Sequence, residues 1–132
     1  MVHSAQQQRR ALIVEDDMLL AMNLQDMLEE LDYRITAIAT RITQALAFAS
    51  DGEFDFAILD VNLAGTFSFP VADILRQRSI PFIFATGYGI EGLTEEYRNE
   101  FVLVKPYGLR ELQVAMNALR LSNVRDIPDP VE

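Results

Sequence analysis

The sequence predicts an α/β fold in which five parallel strands alternate with about five helices. Four short apolar runs each end at a polar side chain, namely 11–14 before Glu15 and Asp16, 56–59 before Asp60, 81–85 before Thr86, and 102–104 before Lys105. The runs are nearly continuous rather than alternating, which is typical of strands buried on both faces of a parallel sheet. Helical patterns separate the runs, and strands joined in this way run parallel with right-handed crossovers. We therefore expect a doubly wound sheet with helices on both faces.

The composition fits one globular domain. At 132 residues the chain is long enough for one substantial core and too short for two ordinary domains. The formal net charge of −9 argues against direct nucleic-acid binding, which depends on a basic patch that neutralises phosphates. The sequence contains no cysteine, which excludes disulfides and thiolate metal sites within it. No apolar stretch approaches a membrane span or a signal-peptide centre, so we expect a cytoplasmic protein without a membrane partner.

The first half of the chain is expected to form a helix, a strand and a second helix before the central strand. Asp17 can cap a helix that begins at Met18, and its apolar residues recur at three- and four-residue spacing, namely Leu20, Leu24, Met27, Leu28 and Leu31. Residues 33–39 alternate and are partly β-branched, which predicts a strand. A short helical face at 42–49 is closed at Gly52.

The second half adds a loop and further helices around the remaining strands. After Asp60, residues 61–69 are expected to form a loop, and Pro70 suits the first turn of the next helix. The segment 87–98 contains three of the six glycines, so any helix there should be short and conformationally loose. The closing helix is predicted from apolar residues on one side, namely Leu109, Leu112, Ala115, Met116 and Leu119.

These elements predict one domain at residues 9–121. Residues 1–8 are polar and lack a hydrophobic period, which predicts a disordered lead-in. Residues 122–132 contain Pro128 and Pro130 and are expected to form a disordered tail. No linker or internal repeat is evident between these two ends.

Three carboxylates are expected to meet at one edge of the sheet. The carboxyl ends of parallel strands share an edge, which brings Glu15, Asp16 and Asp60 together. Carboxylates that lie close together repel one another unless a cation neutralises their charge. A hard divalent ion such as Mg2+ prefers oxygen ligands and retains waters or a substrate phosphate. Zinc is a poor candidate because cysteine is absent and His3 is the only histidine.

The same edge carries the other groups that phosphoryl transfer needs. Asp60 has the character of a carboxylate nucleophile that becomes an acyl phosphate. Lys105 can offset the charge that develops on the phosphoryl oxygens, and the Thr86 hydroxyl can donate a hydrogen bond to one of them. Each residue alone has an ordinary explanation, as a helix cap, a turn residue, a loop hydroxyl or a solvated lysine. Their combination at successive strand ends favours phosphoryl chemistry.

These residues carry a family resemblance. The segments Leu-Ile-Val-Glu-Asp-Asp (12–17), Ile-Leu-Asp (58–60), Ala-Thr-Gly (85–87) and Val-Lys-Pro (104–106) resemble the receiver domain of two-component response regulators. The resemblance extends over roughly residues 9–121. It implies a flavodoxin-like fold with strand order 2-1-3-4-5, which agrees with the order of elements inferred above.

The resemblance also implies a role for each residue at the edge. Asp60 looks like the phosphoacceptor, Glu15 and Asp16 like the acidic pair that organises Mg2+, Thr86 like the switch hydroxyl, and Lys105 like the lysine that pairs with the phosphoryl group. The backbone carbonyl of Asn62 is expected to bind the metal, and Asp17 to remain a helix cap. The implied protein is a stand-alone, stoichiometric phosphoacceptor rather than an enzyme. Its expected partners are a histidine kinase and a downstream protein or phosphotransfer partner.

One position departs from the usual receiver pattern. Receivers usually carry an aromatic residue three positions before the lysine, and here that residue is Val102. The run Phe-Ala-Thr-Gly-Tyr at 84–88 resembles instead the receiver subgroup nicknamed FAT GUY, which lacks this aromatic residue. That subgroup is typically linked to histidine kinases of the HWE and related types in alphaproteobacteria. We hypothesise that the segment 87–98 reorders on phosphorylation in place of an aromatic switch.

Two other classes of function stay open at this stage. An aspartyl-phosphate phosphatase generally carries a second acid two residues after the nucleophile, where this chain has Asn62. A flavodoxin-like binding module without phosphoryl chemistry would be favoured by a glycine-rich phosphate loop after the first strand, and the residues there are acidic.

Overall fold

A computed structural model describes residues 8–87, 93–97 and 100–122 of the chain. The strands are β1 (Arg10–Val14), β2 (Arg34–Ala39), β3 (Phe56–Asp60), β4 (Asn62–Leu63), β5 (Thr66–Phe67), β6 (Phe82–Thr86) and β7 (Val102–Val104). The helices are α1 (Met18–Glu30), α2 (Ile42–Asp51), α3 (Phe69–Gln77) and α4 (Leu109–Ser122), with one 3-10 turn at Glu95–Tyr97. The expected lead-in and tail lie largely outside the described residues.

The five longer strands form one parallel sheet in the order β2-β1-β3-β6-β7. Numbered along the chain among themselves, these strands have the order 2-1-3-4-5, which confirms the predicted doubly wound, flavodoxin-like fold. All residues of β3 and β6 are buried, as their continuous apolar sequences indicate. In the register of this pair, Asp60 lies opposite Ala85 and therefore next to the end of β6.

Two apolar cores lie on opposite faces of the sheet. Strand residues alternate between the faces, so that Leu12 and Val14 belong to one core whereas Ala11 and Ile13 belong to the other. Helices α2 and α3 cover the first core, and helices α1 and α4 cover the second. The strand ends emerge between these layers at the edge of the sheet.

The helix starts follow local capping chemistry. Helix α1 begins at Met18 as predicted, because the Asp17 side chain accepts hydrogen bonds from the backbone N–H groups of Leu19 and Leu20 at 3.0 and 3.3 Å. Helix α3 begins one residue before Pro70, which occupies its first turn.

The expected loop at 61–69 was only partly correct. It contains the antiparallel hairpin β4–β5, which reverses at Ala64 and Gly65 with φ values of 51° and 95°. The Gly65 N–H donates a 2.6 Å hydrogen bond to the Asn62 side chain and closes the turn. Two-residue strands are too short to produce an alternating pattern, so the sequence carries little signal for this hairpin.

The expected number of about five helices also needs correction. Four α-helices lie within the described ranges, and in the glycine-rich segment the described part, 93–97, contains only a short 3-10 turn. Glycines raise the entropic cost of ordering a helix, which favours such a short element. The rest of the expected loose helix, at 88–92 and 98, lies outside the described residues. Among the helices that are described, none has the length and apolar character needed to cross a membrane.

Candidate functional site

The sheet topology places the polar strand ends side by side. Strands β1, β3, β6 and β7 are consecutive neighbours, and their carboxyl ends define one edge. The residues at this edge are Glu15 and Asp16 after β1, Asp60 at the end of β3, Thr86 at the end of β6, and Lys105 after β7. The structure therefore brings together the residues that the sequence suggested.

Three carboxylates form a tight cluster at this edge. Oxygen atoms of Glu15, Asp16 and Asp60 lie within 4.8 Å of one another. The first and last of these residues are buried, with 7% and 8% exposure, whereas Asp16 is exposed. The backbone N–H of Asp17 donates a 3.1 Å hydrogen bond to Glu15 Oε2 and fixes that carboxylate at the start of α1. The cluster is thus held by the fold while one side opens to solvent.

Lys105 joins the two buried carboxylates. Its Nζ atom lies 3.0 Å from Glu15 Oε1 and 3.2 Å from Asp60 Oδ2. Burial alone would lower the pKa of Lys105, but the hydrogen bond to Glu15 and the attraction of both carboxylates raise its pKa above the ordinary value. The lysine therefore remains charged at neutral pH and acts as a fixed positive group within the site.

Asp60 has a perturbed acidity. Burial and the charge of Glu15 raise the pKa of Asp60 from 3.8 to about 7, although Lys105 and the Asn62 N–H act in the opposite direction. The pKa values of Asp60 and Lys105 can both be raised, because the single charge of Lys105 does not offset the effects of burial and of Glu15 on Asp60. In the absence of another cation, the ionised form of Asp60 is therefore costly.

The donor set fits a hard divalent cation. The cluster contains three carboxylates, and one lysine pairs with two of them, which leaves an excess of negative charge. Its ligand atoms are oxygens, without sulfur or imidazole nitrogen. Mg2+ is bound through such carboxylates and retains open positions for water or phosphate. The Asn62 N–H donates to Asp60 Oδ1 at 3.4 Å, so the backbone at Asn62 borders the cluster. A metal-binding role for its carbonyl stays a prediction.

Backbone hydrogen bonds fix the neighbouring strand ends. The Lys105 N–H donates to the Thr86 carbonyl at 2.8 Å, and the Val61 N–H donates to the Ala85 carbonyl at 3.0 Å. The Thr86 side chain is buried at this point, with 3% exposure. The residue after Asp60, strand β6 and the lysine segment are thereby connected directly.

A cavity of about 320 Å³ adjoins the cluster, and the sequence reasoning did not identify it. Leu20, Asn23 and Met27 of α1 line it together with the loop 105–107. Burial, together with the charges of Glu15 and Asp60, raises the pKa of Tyr107 to about 12. The sequence predicted Leu20 and Met27 on one helix face, but it did not single out Tyr107, which lies two positions after the lysine.

Comparison with known proteins gives one consistent result. The model of the response regulator receiver domain matches residues 11–117. The chain is 43% identical to SdrG from Sphingomonas melonis Fr1, and the solution structure of SdrG superposes with a TM-score of 0.77 over 85% of this chain and 96% of that chain. A second solution structure, of the BeF3-activated conformation of SdrG from Pseudomonas melonis Fr1, matches with 43% identity and a TM-score of 0.73 over 83% of this chain and 94% of that chain.

Two curated relatives show the same similarity. The chain is 35% identical over 100 residues to the phyllosphere-induced regulator PhyR of Methylorubrum extorquens, a match that covers 73% of this chain and 38% of PhyR. It is 32% identical over 123 residues to the transcriptional regulatory protein PdtaR of Mycobacterium tuberculosis, covering 90% of this chain and 60% of PdtaR. The chain thus spans less than two thirds of these relatives. Because the family model matches most of the chain and the fold agrees, the chain belongs to the response regulator receiver domain family.

Proposed function

We propose that Asp60 accepts a phosphoryl group from a histidine kinase in the presence of Mg2+, and that phosphorylation changes how the chain binds another protein. The observation that carries the proposal is the contact between Asp60 Oδ2 and Lys105 Nζ, 3.2 Å apart, inside a cluster of three carboxylates. A buried acid with a cation beside it and a metal-binding oxygen set around it matches the needs of acyl phosphate formation.

In the proposed reaction, an Asp60 carboxylate oxygen attacks the phosphorus atom of a phosphohistidine. The new O–P bond forms as the N–P bond breaks, and the electron pair of the broken bond returns to the imidazole nitrogen, which takes up a proton from solvent. Lys105 pairs with a phosphoryl oxygen, and the Thr86 hydroxyl donates a hydrogen bond to another. Glu15, Asp16, Asp60 and the Asn62 carbonyl would hold Mg2+, which when bound would supply positive charge for the phosphoryl oxygens.

The electrostatics of the cluster support a requirement for the cation. The pKa of Asp60 is raised to about 7 by burial and by Glu15, so in the cation-free protein a large part of this group is protonated at neutral pH. The carboxylates around Asp60 would hold a divalent cation, and its charge would favour the ionised form of Asp60, which is the nucleophile.

We propose partners of two kinds. The Phe-Ala-Thr-Gly-Tyr run at 84–88 supports a histidine kinase of the HWE type as the donor. The likeness to PhyR of Bartonella quintana, which is described as an anti-anti-sigma factor, supports an output through protein contacts. The charge of −9 disfavours direct contact with nucleic acid. The proposed receiver unit is residues 9–121, acting in the cytoplasm as a stoichiometric acceptor rather than as an enzyme for a separate substrate.

Intact-protein mass spectrometry tests the acceptor. Wild type, Asp60→Asn and Asp55→Asn are incubated with acetyl phosphate, with and without Mg2+. Asp55 is a matched control because it precedes the opposite end of the same strand and binds the Arg10 N–H at 2.7 Å, away from the cluster. We expect wild type and Asp55→Asn to gain one phosphoryl group only with Mg2+, and Asp60→Asn to gain none.

Two results would contradict the proposal. Uptake by Asp60→Asn would place the acceptor on another residue. Absence of uptake by wild type, both from acetyl phosphate and from a phosphorylated histidine kinase of the HWE type, would leave the chain without its proposed chemistry.

A further inference from the structure

Tyr97 forms the centre of an aromatic stack on the face of the sheet covered by α2 and α3. Its side chain belongs to the 3-10 turn Glu95–Tyr97 and is 1% exposed. Its ring stacks on Phe69 with a centroid distance of 5.3 Å and an interplanar angle of 8°. It meets Phe84 edge to face at 5.4 Å and 86°. One buried ring therefore joins three separate segments of the chain.

The Phe69 side of the stack leads to the hairpin and loop that follow Asp60. Phe67 stacks on Phe69 at 5.6 Å and 19°, and in the β4–β5 hairpin Phe67 pairs with Asn62. The Ser68 N–H donates a 2.9 Å hydrogen bond to the Val61 carbonyl, directly after Asp60. A shift of the hairpin around a new group on Asp60 would thus be transmitted to the Phe69 ring.

The Phe84 side of the stack leads to Thr86. Phe84 lies in β6 two residues before Thr86, and it also meets Phe69 edge to face at 5.8 Å. A change at the end of β6 therefore reaches the same Tyr97 ring by a second route. Well-packed rings respond as units because the interior has few voids into which one ring could move alone.

Polar contacts hold the outer side of the Tyr97 ring to α3. The Tyr97 hydroxyl donates to the Asp73 carboxylate, and the Arg76 guanidinium lies 4.1 Å from the centre of the ring. Arg76 also pairs with Glu100 at 2.7 Å and Glu96 at 3.7 Å, on either side of the tyrosine along the chain. The turn at 95–97 is thereby attached to the surface of α3 as well as to the core.

The usual position of a switch aromatic is occupied by a small residue. Val102 lies opposite Phe84 in the register of β6 and β7 and packs against the same core as Tyr97. We propose that Tyr97 is the positioning residue that couples phosphorylation of Asp60 to residues 93–97, which include the 3-10 turn. In this role it replaces an aromatic ring at position 102. The inference rests on the proposed phosphoryl chemistry of Asp60 and names the element through which it is communicated.

Solution NMR of the full chain tests this coupling, with Mg2+ and beryllofluoride as the probe that mimics a phosphoryl group on a carboxylate. In wild type we expect amide shifts both at the site, at Asn62 and Thr86, and at the turn, residues 93–97. In Tyr97→Leu the site shifts should persist and the turn shifts should be lost. Tyr97→Phe keeps the ring and should restore the turn shifts.

Tyr33→Leu is the matched control. Tyr33 is also a buried tyrosine in an edge-to-face pair, with Phe56 at 5.2 Å and 74°, but it lies in the core on the other face of the sheet. Its removal should leave both sets of shifts in place. The comparison separates a loss of coupling from a general effect of removing a buried ring.

The outcomes are distinct. Turn shifts of wild-type size in Tyr97→Leu, or site shifts without turn shifts in wild type, would overturn the inference and leave the proposed function intact. Absence of shifts at the site in wild type would overturn the proposed function and the inference with it. Should Tyr97→Leu not fold, the ring signals of Tyr97 in wild type give the answer. On addition of beryllofluoride, the Tyr97 ring signals should shift together with the Thr86 amide signal, whereas the Tyr33 ring signals should not shift. Tyr97 ring signals that do not shift would overturn the coupling.

Discussion

At the scale of single residues, the site is a balance between one lysine and three carboxylates. Lys105 contacts both buried acids, so it stabilises them and also competes with any cation that binds the same oxygens. The charge on Lys105 is therefore expected to have opposite effects on metal binding and on phosphoryl transfer. The two effects can be measured separately.

Lys105→Ala should bind Mg2+ more tightly and accept phosphoryl groups more slowly. Removal of a competing positive charge should lower the Kd for Mg2+ by about tenfold, equivalent to about 1.4 kcal/mol. Loss of the group that pairs with the phosphoryl oxygens should slow uptake from acetyl phosphate by more than tenfold. Calorimetric titration and timed mass spectrometry measure the two quantities, with Lys105→Arg as the control that keeps the charge. A change of Mg2+ affinity and of the rate of phosphoryl uptake in the same direction would contradict the competition between Lys105 and the cation.

Asp60→Asn should stabilise the metal-free protein in a pH-dependent way. The pKa of Asp60 is raised from 3.8 to about 7 by burial and by Glu15, so the folded state holds this proton more tightly than the unfolded state does. The stability that Asp60 contributes is therefore present below about pH 4 and is lost as the pH rises through 7. At pH 8 the amide should raise the free energy of unfolding by roughly 2 to 4 kcal/mol, and the gain should vanish near pH 4.

Urea unfolding in the presence of a chelator, over a series of pH values, measures this gain. Asp55→Asn provides the control, because it removes a 3.5 Å pair with Arg10 and should produce no gain in the same window. A gain for Asp60→Asn that is independent of pH would argue against the electrostatic cause.

At the scale of elements, the sequence could predict what depends on periodicity and local chemistry. The five longer strands, the start of α1 at Met18 and the residues at the ends of these strands could be predicted, because apolar runs, capping residues and parallel topology are local or regular features. The β4–β5 hairpin and the Tyr97 stack could not be predicted, because two-residue strands have no period and a stack between distant segments leaves no local pattern.

Substitution by alanine at the starts of α1 and α3 should change the free energy of unfolding in opposite directions. Asp17 accepts two backbone hydrogen bonds at the start of α1, whereas the buried Ser68 Oγ at the start of α3 has no hydrogen-bond partner among the described residues. Asp17→Ala should lower the free energy of unfolding by about 1 kcal/mol through loss of the cap. Ser68→Ala should raise it by about 1 kcal/mol, because an unsatisfied buried hydroxyl is removed. Urea unfolding measures both, and a loss of stability in Ser68→Ala would reveal a partner for the hydroxyl.

At the scale of the whole molecule, a net charge of −9 is concentrated in part at the functional edge. Self-repulsion of like charges opposes the compact state, and a cation that binds only the folded chain shifts the unfolding equilibrium. Stability and ligand binding are therefore linked through the same carboxylates.

Mg2+ should stabilise the folded protein, and Asp16 should be required. At a Mg2+ concentration tenfold above the Kd, the free energy of unfolding should increase by about 1.4 kcal/mol. Asp16→Asn should lose most of this increase, whereas Asp17→Asn should retain it, because Asp17 lies outside the carboxylate cluster and asparagine also caps helices well. Thermal unfolding with and without Mg2+ measures the difference. Equal stabilisation of both variants would place the ion elsewhere.

Strand β3 has a consequence for how the chain behaves over time. Its five residues are all buried, and it lies between β1 and β6 in the interior of the sheet. Amide protons at the centre of such a strand exchange with solvent mainly through global unfolding rather than through local opening. We therefore expect the backbone that carries Asp60 to adjoin the slowest-exchanging part of the domain, which would hold the proposed acceptor in place through repeated cycles of phosphorylation.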